Sequence, residues 1–165
     1  MKLSGSCHCG AVKFTLESRT PYPYMRCYCS ICRKTGGGGG YAINIMGETK
    51  TLKLKGKKNL SVYRALRKGG KRSDARRNFC RKCGSALWVW DPRWGDWIYP
   101  FASAIDTPLP RPREIQHIML NYSPSWVEVP RGKAHPHFRE YPKEGIEAWH
   151  KRRGLLEGER KRKLR

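Results

Sequence analysis

Seven cysteines fall into three groups along a chain of 165 residues: Cys7 and Cys9; Cys27, Cys29 and Cys32; Cys80 and Cys83. Thiols buried merely as small hydrophobes scatter along a sequence, whereas these recur at spacings of two and three. An odd number suits a closed disulfide framework poorly. Cys-x-Cys neighbours, moreover, rarely reach the Cα separation of roughly 4.4–6.8 Å that a disulfide needs. Ligation of a metal by thiolate is the chemistry that such spacing serves.

A structural zinc site is closed by four protein ligands, and a catalytic one keeps three with a position open. Seven thiols divide naturally as four plus three. Cys27, Cys29 and Cys32, spaced C-x-C-x-x-C, are expected to reach one metal from one tight loop. "CHC" at Cys7/Cys9 and "CRKCG" at Cys80/Cys83 are half-sites, with Gly84 easing the turn of a zinc knuckle. Neither suffices alone, so they are paired into a closed tetrahedron joining the first strand to the middle of the chain. The alternative makes all seven structural, with His8 or His117 closing the second tetrahedron. A lone histidine is more often an ordinary polar or core residue, and neither joins the candidate ligands. Three thiolates leave zinc electron-rich, better suited to binding soft sulfur than to making hydroxide.

The elements that must position these thiols read as short strands. Val12, Phe14 and Leu16 alternate with polar residues, as do Tyr41, Ile43 and Ile45, then Leu52 and Leu54. "NLSVYRAL" (59–66), "SALWVW" (85–90), "WIYPFAS" (97–103) and "EIQHIML" (114–120) are rich in β-branched and aromatic residues. Proline and glycine clusters punctuate them. The fold class is mainly β, with short antiparallel sheets. From Lys143 onward a helix is expected, with Ile146, Trp149 and Arg153 on one face, fraying into a basic tail. Gly36–Gly40 reads as a hairpin loop leading into the strand at Tyr41, or as backbone that approaches a ligand closely. Trp88 and Trp90 are expected in the core, and Trp94 and Trp97 on a ligand-facing rim.

No apolar leader opens "MKLSGSCHCG" and no run of about 18 apolar residues occurs, so no membrane span is expected and the cytoplasm is the default setting. The formal charge of +22 is uneven. Residues 50–82 carry fourteen Lys or Arg against Asp74 alone, a net of +13, and residues 151–165 carry eight against two acids, a net of +6. Seven thiolates and two Zn²⁺ contribute only −3 against that surplus. Such charge attracts polyanions, and no helix-turn-helix, KH or RRM signature is present. A zinc-stabilised basic module that binds nucleic acid non-specifically, without catalysis, is therefore the alternative to an enzyme.

"GSCHCGAVKF", "RCYCSICRKTGG", "RNFCRKCGSALW" and the tryptophan of "SPSWVEV" together resemble the glutathione-dependent formaldehyde-activating enzyme family, which includes the centromere protein V group. The resemblance runs from Ser4 to Trp126, and all seven cysteines fall on its pattern. It implies a zinc-binding β-tent domain over residues 1–130, followed by a partly helical, basic extension over 131–165. It also implies two zinc ions per chain, with Cys7, Cys9, Cys80 and Cys83 holding a structural ion and Cys27, Cys29 and Cys32 a catalytic or labile one. The implied activity is that of a carbon–sulfur lyase, joining a thiol such as glutathione to an aldehyde such as formaldehyde. Arg33 and Lys34 are candidates for polarising the aldehyde.

Overall fold

The computed structural model describes residues 1–67 and 69–155. The tail beyond residue 155, expected to continue the helix as a basic run, lies outside the described residues. Among the described residues, eleven short strands form three sheets. The first sheet is ordered β1 (Lys2–Ser6), β2 (Lys13–Glu17) and β6 (Lys53–Lys55). The second is β5 (Gly47–Glu48), β10 (Trp97–Pro100), β9 (Ala86–Trp90), β8 (Arg76–Cys80) and β7 (Leu60–Tyr63). The third is β11 (Ile115–Ile118), β3 (Tyr24–Cys27) and β4 (Ala42–Asn44). Three small sheets and two short helices bear out the mainly β class.

Alternation works as the sequence implies. Phe14 and Leu16 of β2 are buried while Lys13 and Glu17 are exposed. Leu3, Phe14, Leu16, Ile45, Leu87, Trp88 and Ile98 form the main core between the first two sheets. Phe14 meets Trp88 edge-on at 5.1 Å, a geometry that adds about 0.5–1.5 kcal/mol beyond the area buried. A second, smaller core gathers Cys27, Cys32, Ala42, Phe101 and Ile118.

Four features depart from the expectations. First, β11 pairs with β3 in parallel, Ile118 opposite Cys27, whereas the other pairs of strands named above are antiparallel. Second, the residues after Cys29 are not a loop but helix α1 (Ser30–Gly36). Third, the glycine run therefore links a helix to β4 and is not a hairpin. A Cβ on Gly37 would overlap the Tyr41 carbonyl oxygen, and Gly40 adopts φ +86°, so the backbone demands glycine at both. Fourth, Trp94 packs edge-on against Tyr99 at 4.9 Å and Trp97 lies under the Arg19 guanidinium at 5.4 Å. Neither lines the cavity beside α1.

The C-terminal helix is present as α2 (Ile146–Arg152). Trp149 is buried, its indole N–H donates to Glu114 Oε1 at 3.0 Å, and Arg153 covers its ring while pairing with Glu114. Residues 134–140 run beside β11, where the His117 N–H donates to Pro136 and the Phe138 N–H to His117. That segment brings Phe138 to the smaller core.

Candidate metal centres

Two thiol clusters emerge where the strands turn. At the first, Cys7 follows β1 and Cys9 sits in the turn before β2, while Cys80 ends β8 and Cys83 sits in the turn before β9. The four sulfurs lie within 4.8 Å of one another, with Cys7 3.6 Å from Cys9 and Cys9 3.8 Å from Cys80. The two turns repeat one device. Gly10 at φ +71° follows Cys9 and donates its N–H to the Cys7 carbonyl at 2.9 Å. Gly84 at φ +74° follows Cys83 and donates to the Cys80 carbonyl at 2.8 Å. Each turn thus folds its two sulfurs inward as a knuckle, which only a residue tolerant of the left-handed region closes without strain. The Val12 N–H donates to Cys7 Sγ at 3.2 Å. The Ser85 hydroxyl and N–H pull Cys83 down to about 5, whereas Cys9 rises to about 11 because the neighbouring thiols and burial outweigh the Ala11 N–H that lowers it.

At the second cluster, Cys27 ends β3, Cys29 caps α1 and Cys32 lies in its first turn. Their sulfurs also converge within 4.8 Å. Cys29 Sγ accepts the Cys32 N–H at 3.3 Å, so the cap that starts the helix also aims the thiol at the cluster. Hydrogen bonds from Cys27 and Cys32, with the N–H groups of Cys32 and Ile31, draw Cys29 down to about 2. Cys27 is pushed far up by its contacts with Cys29 and Cys32 and by burial. Cys32 rises to about 11, because its contact with Cys29 and its burial offset the lowering by Cys27. Three thiols this close cannot all ionise unaided; a divalent cation removes that conflict. The donor set fits a soft, tetrahedral metal at both clusters.

The histidine alternative does not hold. His117 is fully buried and both its ring nitrogens are engaged: Nδ1 with the Tyr28 hydroxyl at 2.7 Å and Nε2 with His135 Nδ1 at 3.1 Å. Burial first, then Arg26, His137 and His135, hold it down to about 4, so it stays neutral. His8 is exposed and joins neither cluster. Among the described residues the three-thiol cluster has no fourth His, Cys, Asp or Glu within reach.

Arg33 and Lys34, together with Gly36–Gly38, Ser6, Cys7 and His8, line a cavity of about 580 Å³. Cys27, Cys29 and Cys32 do not line it. The residue that charge patterning alone missed is Arg77 on β8. It is 9% exposed, its Nε and Nη1 have no partner among the described residues, and its charge lowers the Cys32 thiol. A buried cation without a carboxylate is costly unless something anionic faces it. The signal was an arginine in "ARRNFC", where strand alternation turns one of two neighbours inward. Arg76 is the outward one, lying over the Trp90 ring at 5.1 Å.

With this geometry in view, comparisons with known proteins give a consistent result. Residues 2–119 match the profile described as "Glutathione-dependent formaldehyde-activating enzyme". A protein of Halomonas elongata, provisionally named as such an enzyme, is 54% identical over 158 residues, covering 96% of this chain and all of its own. A crystal structure of a Rhodobacter sphaeroides protein superposes with a TM-score of 0.53 at 28% identity, covering 66% of this chain and 92% of that one. All seven cysteines, in two clusters of four and three, lie within the matched span. The chain belongs to the glutathione-dependent formaldehyde-activating enzyme family.

Proposed function

We propose that the protein catalyses the reversible addition of a glutathione-type thiol to formaldehyde, as a carbon–sulfur lyase working at Cys27, Cys29 and Cys32. The observation that carries this reading is the inequality of the two clusters. Four thiols complete one tetrahedral set, whereas three converge at the other with no fourth donor among the described residues. Membership of the family and the name of the Halomonas relative support the substrates. In this assignment Cys7, Cys9, Cys80 and Cys83 hold a structural ion, giving two zinc ions per chain. Seven free thiols suit a reducing compartment, so the cytoplasm is the proposed setting. No described helix is long and apolar enough to cross a membrane.

When bound at the three thiols, zinc supplies a vacant position for a soft fourth sulfur and favours its thiolate form. In the overall step a sulfur–carbon bond forms and the carbonyl π pair becomes a hydroxyl. The proton released by the thiol ends on that oxygen. The chain's own residues organise the step. Cys29 fixes the start of α1 and with it the angle between Cys27 and Cys32. Phe101, Ile118 and Phe138 pack around the cluster, and such apolar surroundings strengthen charge interactions inside. Arg77 offers unpartnered N–H groups to negative charge developing near Cys32. Arg33, Lys34 and the peptide N–H groups of the glycine run suit the carboxylates of a tripeptide thiol.

The test is formaldehyde consumption in the presence of glutathione, measured above the uncatalysed rate. Zinc-loaded protein should accelerate it and chelator-treated protein should not. Acceleration by neither form would sink the reading.

A further inference from the structure

We propose that the β7–β8 hairpin and the adjoining edge strand β6 form a nucleic-acid backbone-binding surface, separate from the thiol chemistry. The surface is continuous through the fold. Lys55 on the free edge of the first sheet leads through Gly56 to Lys57 and Lys58, which precede β7 at the edge of the second sheet. The Arg81 N–H donates to the Asn59 carbonyl at 2.9 Å, which brings Arg81 alongside that turn. All four cations are exposed and none has a carboxylate partner among the described residues. Farther along the same hairpin, beyond the four residues of β7, the tip carries Arg64, Arg67, Lys71 and Arg72.

Two observations distinguish this surface from a merely solvated face. Lys13 and Lys55 sit directly opposite each other across the β2–β6 pair, a like-charge placement that destabilises a sheet unless an anion offsets it. At the tip the arginines are held in place: Arg64 Nε donates to the Ser73 carbonyl at 2.8 Å, and Arg72 Nη1 to the Arg64 carbonyl at 3.3 Å. Among the described residues, the one ion pair at the tip is Arg64 with Asp74, at 3.3 Å. Guanidinium groups already oriented suit the paired oxygens of a phosphate. Between base and tip, Tyr63 is 41% exposed on the edge strand, a ring available to stack on an unpaired base. A small dianionic thiol could not engage cations spread over that length; a chain of phosphates does.

Fluorescence anisotropy of labelled 20-mer duplex and single-stranded DNA, with the full chain, tests the proposal. Affinity should fall about 10³-fold or more between 50 and 200 mM salt. A Lys55→Gln/Lys57→Gln/Lys58→Gln variant should bind more weakly and lower the log–log salt slope by about 2–3, while its circular dichroism and formaldehyde turnover stay unchanged. No binding at 50 mM salt overturns the proposal. So does an unchanged slope in the triple variant, which assigns the contact elsewhere, or tighter binding to vesicles containing one-third phosphatidylserine than to either DNA.

Discussion

The two thiol clusters should differ sharply in what they contribute to stability, and their loop lengths say by how much. The closed cluster joins Cys9 to Cys80, residues 71 apart in sequence. Treated as a cross-link, closing a loop of that length removes about 4 kcal/mol of chain entropy from the unfolded state. The open cluster spans only Cys27 to Cys32, for which the same relation gives about 2 kcal/mol. Cys9 and Cys83 are exposed, so a Cys9→Ser/Cys83→Ser variant disturbs no core and leaves two thiols, too few for a tetrahedral site. Cys29→Ser removes one ligand yet retains a good helix cap in place of the sulfur that accepts the Cys32 N–H. In thermal unfolding with zinc present, the double variant should lose roughly 8–16 °C and Cys29→Ser less than half of that. Equal losses, or a larger loss for Cys29→Ser, would refute the assignment of the four-thiol cluster as the structural one.

Three further outcomes follow from the same geometry. His117 titrates at about 4 when folded, against an unfolded value of about 6.5. Its contribution is therefore present above pH 6.5 and lost as pH falls towards 4, an effect of about 3 kcal/mol. The urea-midpoint difference between wild type and His117→Gln should narrow from pH 7.5 to pH 4.5; a constant difference would remove His117 from that role. Tyr28→Phe leaves a fully buried ring nitrogen of His117 without its partner and should cost about 1–3 kcal/mol in urea denaturation, whereas an unchanged midpoint would mean that the hydrogen bond is not formed in solution. Gly37→Ala forces its Cβ against the Tyr41 carbonyl; raised KM for glutathione with zinc content intact is expected, and an unaltered KM would separate the glycine turn from thiol binding.

The parts of this fold legible in the sequence are those where one face is apolar. β2, β9 and α2 declare themselves through Phe14 and Leu16, Leu87 and Trp88, and Trp149. β1 hides because "KLSGS" has little strand propensity; Gly5 is there because the Phe14 ring and the Ala104 carbonyl leave no room for a Cβ. β8 hides because "RRNFC" reads as charged, yet its Arg77 is buried beside the thiols. α1 is a seven-residue helix ending in glycine, too short for periodicity to reveal. The grouping of cysteines was readable because ligand spacing is local within each knuckle. Which cations approach them depends on which face of β8 turns inward and which wall α1 presents, and local spacing does not encode that. Hence Arg33 and Lys34 stood out in the sequence, whereas the fold turns Arg77 inward beside Cys32.

The most direct measurement of the central claim combines zinc content with glutathione-dependent formaldehyde turnover in Cys29→Ser. One zinc per chain instead of two, a native circular dichroism spectrum and turnover reduced to the uncatalysed rate are expected. Turnover retained by a variant that binds one zinc would contradict the claim that the three-thiol cluster is where the chemistry happens.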